Sequence, residues 1–231
     1  MDIDVLIDKI RSQSTPFYKF LYNSYKAMHE TSINAPPGFA KTLYTERILR
    51  HALLYWFSNK FYYEPMLRSK CTSAGKNLRT DGDIPLISGS GRIIIGDNVR
   101  IGNRGAWVLS PNLYDCPELI IGDNTSINPF VCISVECKVE IGKNCQIAGE
   151  TNIFDNNSHS VYYRNNRKMT KDDVAPISIE DHVWVGMRSM IFKGVTIGMG
   201  SVVAAGSIVT KSIPSMTLVG GNPARVIKEI K

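Results

Sequence analysis

Histidine is scarce in this chain of 231 residues: there are four, His29, His51, His159 and His182. Only the last two lie beyond residue 90, so a site of three histidines around zinc cannot be assembled there, and no metal is expected. Cysteine is sparse too. Cys71, Cys116, Cys132, Cys137 and Cys145 are odd in number and form no CxxC pair, which excludes a small-protein disulfide framework and reads as reduced thiols of a cytoplasmic protein. No stretch approaches the ~18 uncharged apolar residues of a membrane span. The opening "MDIDVLIDKIRSQSTP" has neither an apolar run nor a small-residue cleavage site, so a secretory signal is not expected. Residues 1–80 carry no glycine-rich phosphate loop. A concentrated basic run is also missing: the net charge of +6 is dispersed, which argues for anionic ligands or an anionic membrane surface rather than nucleic acid.

What is present divides by texture near residue 80. A hydrophobic fraction of 43% is enough to bury a full core. Residues 1–70 hold 13 of the 21 aromatics and read as helical, with starts after Thr15-Pro16 and near Thr42 and a Pro-Pro-Gly break at 36–38. Beyond residue 90 the helical period gives way to a six-residue repeat that begins with an aliphatic residue, often followed by glycine. It starts at Ile95 and Ile101, resumes at Ile121, Ile127 and Ile133, then at Ile141, Ile147 and Ile153. It returns at Ile179 and runs through Val185, Ile191, Ile197, Val203 and Val209.

A six-residue aliphatic period fits neither an amphipathic helix nor a hairpin sheet. It fits a solenoid whose short faces each turn one aliphatic residue inward, coils stacking at ~4.8 Å. The register slips by two residues before Ile141 and again between His159 and Ile179, and such slips predict loops thrown out of the coil. The second interruption, "NIFDNNSHSVYYRNNRKM" over 152–169, contains His159.

These repeats, with "HVWVGMRSMIFKGVTIGMGSVVAAGSIVTKSIP" and "VGGNPARVIKEI", resemble the hexapeptide-repeat acyltransferases, specifically the acetyl-CoA-dependent sugar O-acetyltransferases. The resemblance covers about residues 90–230. It implies a mainly β chain: a left-handed parallel β-helix with three hexapeptides per coil over residues 81–231, an amino-terminal helical segment over 1–80, and assembly as a homotrimer. It also implies an active-site loop at about 155–177 with an essential histidine where that loop leaves the coil. His159 stands there, and an imidazole with an unperturbed pKa near ~6.5 suits removal of a proton from a sugar hydroxyl.

Asp155, four residues earlier, reads either as the group that orients the imidazole or as a turn residue. Asn128 matches a polar position near the acceptor in the family, and is equally a permissible corner residue. On the donor side the resemblance implies Trp184 as a wall of the site, with Gly186, Ala204, Ala205 and Thr210 along acetyl-CoA. Lys211 and Arg225 are then candidates for its phosphates. Cys132, Cys137 and Cys145 fall at small-residue positions, which speaks against an acyl-cysteine mechanism, and His182 falls where such repeats carry asparagine.

The expected activity is acetyl transfer to a hydroxyl of a sugar or glycan, in bacterial surface-polysaccharide synthesis. The alternatives are N-acetylation of an amino sugar or small xenobiotic and a non-catalytic scaffold, the latter at odds with intact carboxyl-terminal motifs. Residues 1–70, with ten Lys/Arg against six Asp/Glu, are read two ways: as a cap or packing element for the β-helix, or as interfacial helices giving peripheral contact with the inner face of the membrane.

Overall fold

The computed structural model describes residues 3–32 and 36–231, which fall into two compact units, Met1–Ala52 and Leu53–Lys231. In the first unit, α1 spans Ile3–Arg11 and α2 spans Pro16–Glu30. Thr15 caps α2, its hydroxyl oxygen accepting from the Tyr18 N–H at 3.3 Å, with Pro16 pre-set for the first helical position. The next helix, α3 (Pro37–Ser58), begins at the Pro-Pro-Gly sequence and not near Thr42. Proline costs nothing at a first helical position, where its missing N–H has no partner in any case. No described helix is long and apolar enough to cross a membrane.

In the second unit α3 continues into one π-helical turn, Asn59–Tyr63, and then α4, Glu64–Lys70. The first strand begins at Ser73, inside the stretch read as helical. Residues 73–94 lack the Ile-Gly signature, yet Leu78 and Ile93 already sit in the core.

Three parallel sheets form the faces of a left-handed prism. The first face stacks Ser73–Ala74, Arg92–Ile95, Glu118–Ile121, Lys138–Ile141, Ile177–Ile179 and Thr196–Ile197. The second stacks Arg79–Thr80, Arg100–Ile101, Ser126–Ile127, Gln146–Ile147, Trp184–Val185, Val202–Val203 and Thr217–Gly220, with Arg225–Glu229 added antiparallel at its end. The third stacks Leu86–Gly89, Ala106–Leu109, Cys132–Val135, Asn152–Phe154, Met190–Phe192 and Ile208–Val209.

The repeat residues are in lateral register. Ile95, Ile121, Ile141, Ile179 and Ile197 form one column. Ile101, Ile127, Ile147, Val185 and Val203 form another. Ile133, Ile153, Ile191 and Val209 form the third, with Trp107 taking the repeat position below Ile133. All are at most 2% exposed, so each supplies about 2–3 kcal/mol of apolar burial.

The corners are equally regular. Asn98, Asn124, Asn144 and His182 all adopt positive φ, and their side chains form a hydrogen-bonded ladder from Asn77 upward. His182 is therefore the exposed corner expected of it, in a conformation that asparagine tolerates best. A Cβ on Gly122 would lie 2.7 Å from the Gly142 carbonyl carbon of the next coil, which is why glycine follows the aliphatic residue there.

The predicted loop before Ile141 does not exist. Its two extra residues are taken up in the longer strands Cys132–Val135 and Lys138–Ile141, which meet at the Glu136-Cys137 corner. The chain instead leaves the coil at 110–117 and at 155–176, both between the third and first faces.

Candidate active site

The loop bearing His159 is held by buried carboxylates. Asp155, fully buried, accepts hydrogen bonds from the backbone N–H groups of Glu136, Cys137 and Lys138 at 2.7–2.8 Å and from the Asn156 amide at 2.9 Å. These contacts serve the coil corner below and not the imidazole. Of the two readings of Asp155, its geometry is that of the turn residue. Asn156 closes the next turn, its Oδ1 accepting from the Ser158 N–H at 2.9 Å, and Ser158 takes a left-handed conformation that carries the chain to His159. His159 is exposed and, among the described residues, makes no hydrogen bond, so its nitrogens are available to a substrate.

The far end of the loop is closed by Asp173, which is 5% exposed. Its carboxylate accepts from the Asn157 side chain at 3.1 Å and, in a capping box, from the N–H and hydroxyl of Thr170. The Asn157 N–H donates to the Asp173 carbonyl and the Ala175 N–H to that of Asp155. This clasp was missed in the sequence, although the T-x-x-D spacing of "TKDD" is a readable signal for it. Glu136 performs the same service for the other loop, accepting from the backbone N–H groups of Asn112 and Leu113. The two loops meet where the Lys171 ammonium lies 5.8 Å from the Tyr114 ring centre.

The Thr170 backbone N–H, first among its donors, holds the Asp173 carboxyl below its ordinary value of 3.8. A lowered folded-state pKa stabilises the clasp fully above that ordinary value and ceases to do so as the pH falls through the folded value. Amide protection of residues 156–175, taken relative to the unprotected rate at each pH, is therefore expected to be lost in acid before that of the Ile/Val columns; simultaneous loss would show that Asp173 does not govern the loop.

The remaining candidates occupy two different edges of the prism. His159, Thr210 and Lys211 lie where the chain passes from the third face to the first. Asn128, Gly186, Ala204 and Ala205 lie where it passes from the second face to the third, just beyond the column Ile127, Ile147, Val185 and Val203. A Cβ on Gly186 would fall 2.5 Å from the Ala205 nitrogen, so the backbones meet there without a side chain between them. Trp184 projects from the second face, about half exposed. Lys211 and Arg225, 14 residues apart in sequence, line one cleft of about 250 Å³ with Pro214 and Val226. Burial pushes the thiols of Cys137 and Cys145 up, the Asp155 carboxylate adding to the rise at Cys137, so neither is poised as a thiolate nucleophile.

Comparison with known proteins bears on the family and the fold. The family model described as "Hexapeptide repeat of succinyl-transferase" matches residues 176–211. Galactoside O-acetyltransferase of Escherichia coli (strain K12) is 40% identical over 137 residues, covering 58% of this chain and 56% of that protein. The chain thus spans little more than half the length of that curated relative. The putative lipopolysaccharide biosynthesis O-acetyl transferase WbbJ of the same organism is 32% identical over 152 residues, covering 62% of this chain and 74% of WbbJ. Among solved structures, the hexapeptide-repeat containing acetyltransferase VCA0836 from Vibrio cholerae superposes with a TM-score of 0.50 at 29% identity, covering 79% of this chain and 89% of that one. With three-quarters of WbbJ matched, three registered Ile/Val columns and a histidine loop thrown from the coil, the chain belongs to the hexapeptide-repeat acetyltransferase family.

Proposed function

We propose that the protein transfers an acetyl group from acetyl-CoA to a hydroxyl of a sugar or glycan, in the synthesis of a bacterial surface polysaccharide. The observation that carries this reading is the clasped loop 155–176, whose buried acids are spent on backbone N–H groups and on the Asn156, Asn157 and Thr170 side chains, while His159 is left exposed and without a hydrogen bond among the described residues. An imidazole so placed accepts the hydroxyl proton as the oxygen attacks the thioester carbonyl. The tetrahedral intermediate then collapses, the carbon–sulfur bond breaks, and the proton passes from the imidazolium to the departing sulfur of coenzyme A. No acyl-enzyme is required, in keeping with the raised thiols.

Lys211 and Arg225 supply two cations to one cleft, suited to phosphates of the donor. The division of the candidates between two edges supports a homotrimer, in which the His159 edge of one copy faces the Asn128–Gly186–Ala204 edge of the next. The names of galactoside O-acetyltransferase and WbbJ favour a hydroxyl over an amine as acceptor.

Incubating the purified protein with acetyl-CoA and a panel of saccharide acceptors, and reading transfer by mass and by lability of the product to mild alkali, tests the reading. An alkali-labile acetyl ester is the expected product; an alkali-stable amide on every acceptor would move the protein to N-acetylation. In the same assay Lys211→Ala should weaken coenzyme A more than dephospho-coenzyme A if the ammonium meets the 3′-phosphate, since only the former loses a charge-assisted contact. Equal weakening of both would place Lys211 elsewhere on the donor.

A further inference from the structure

A second concavity lies at the other end of the β-helix, within the Leu53–Lys231 unit and built from residues the proposed reaction does not use. It has a volume of about 510 Å³, within the roughly 300–1,000 Å³ of small-molecule sites. Its helical wall is the π-helical turn and the residues before it. Asn59 Oδ1 accepts from the Thr80 hydroxyl and the Gly82 N–H, and the Tyr55 hydroxyl donates to the Thr80 carbonyl and the Asp81 carboxylate. These bonds are local and hold the wall in place. They leave the Trp56 indole on the rim, 58% exposed.

The floor is the outer surface of the second face, where Arg79 and Arg100 stand directly side by side on neighbouring strands. Like charges in such register repel. Arg100 is paired with Asp81 at 3.0 Å, and Lys60 with Glu64 at 3.1 Å, a carboxylate that Arg68 shares at 3.0 Å. Arg79 is exposed, and no described acid pairs with it. Among the described residues the Arg79 guanidinium is thus unpaired in the cleft, and its planar fork matches a carboxylate or phosphate, beside an aromatic face suited to the C–H face of a pyranose.

The same surface leads toward the proposed reaction site. Along the second face the outward residues in register are Arg79, Arg100, Ser126, Gln146 and Trp184. Four coil spacings of ~4.8 Å separate the first from the last, about 19 Å in all, which is the reach of a short oligosaccharide and not of a single sugar.

We infer that the Trp56–Arg79 cleft is a remote subsite for an acidic oligosaccharide acceptor, gripping an anionic sugar unit while the chain runs along the second face toward Trp184. The inference rests on the proposed glycan acceptor, but its test does not depend on acetyl transfer. Binding is measured by calorimetry, with light scattering in parallel, for a tetragalacturonate, a glycerol-phosphate tetramer and maltotetraose. At least one acidic probe should bind at least ~10-fold more tightly than maltotetraose, and the arm that binds tells carboxylate from phosphate. Arg79→Gln and Trp56→Ala should each erase that preference, with Arg79→Lys restoring part of it, while acetylation of a monosaccharide acceptor is unchanged. Equal binding of acidic and neutral probes, or an unaltered Arg79→Gln variant, would overturn the subsite. A change in oligomeric mass on Arg79→Gln would overturn it too, by assigning the cleft to contact between copies. Failure of all acetyl transfer with acidic binding intact would instead remove the proposed reaction and leave the subsite.

Discussion

His159→Ala is expected to lower the rate of acetyl transfer by about 100-fold or more, the usual scale for loss of a general base, while leaving the affinity for acetyl-CoA nearly unchanged. The separation of effects follows from where the side chain stands. His159 is exposed, makes no hydrogen bond among the described residues and contributes nothing to the clasp around it, so its removal should not disturb the loop. Asparagine at the same position retains polarity and a rough match of shape but cannot accept a proton at neutral pH, and should be about as slow as alanine. Steady-state rates with a genuine sugar acceptor, beside donor affinity from calorimetry, check the prediction. Wild-type turnover in either variant would remove His159 from the reaction, and a matching loss of donor affinity would make it a donor-binding residue instead.

Asp155→Ala should act on stability. Removing this fully buried carboxylate deprives three backbone N–H groups and the Asn156 amide of their acceptor, at a corner where Glu136 and Asn156 are buried and Cys137 and Lys138 half-buried. Each unsatisfied buried donor costs about 1–3 kcal/mol, so the variant should lose roughly 4 kcal/mol or more, read as a lower urea midpoint. Asp155→Asn presents one carbonyl oxygen and an NH₂ that faces other donors, so it should be destabilised almost as much. A residue that merely oriented His159 would give the opposite result: unchanged unfolding with a slower reaction. Asp155→Asn with wild-type stability would therefore return Asp155 to that role.

These two residues, four apart in "DNNSH", show how far the sequence could be read. The loop that bears the histidine was legible because the hexapeptide register stops just before it and resumes at Ile179, and a solenoid can tolerate such a break only as a loop; the role expected of the histidine came from the family resemblance. The aspartate was ambiguous because its partners, Glu136, Cys137 and Lys138, are backbone amides of the preceding coil, and amides carry no sequence signature. The early coils were missed for a related reason. Leu78 is as buried as the later repeat residues, but the corner before it reads Ala-Gly-Lys-Asn and lacks the Ile-Gly-Asx pattern that makes the period visible.

The sequence by itself determined the period and so the inward aliphatic positions, the glycine and asparagine corners and the exit of the His159 loop, while the count of three columns came from the family resemblance. Each follows from local chemistry: an aliphatic residue every sixth position must be buried, and positive φ selects Asn or Gly. Only the tertiary structure decided what stacking brings together from distant positions. Coil-on-coil register gave Asp155 to the corner below, and clasped Asp173 to Asn157 and Thr170. It split His159 from Asn128 and Gly186 onto separate edges, and set Arg79 beside Arg100 in line with Trp184. The physical reason is that a parallel solenoid pairs residues a whole coil apart, and the length of a coil depends on loops whose size the six-residue period does not encode.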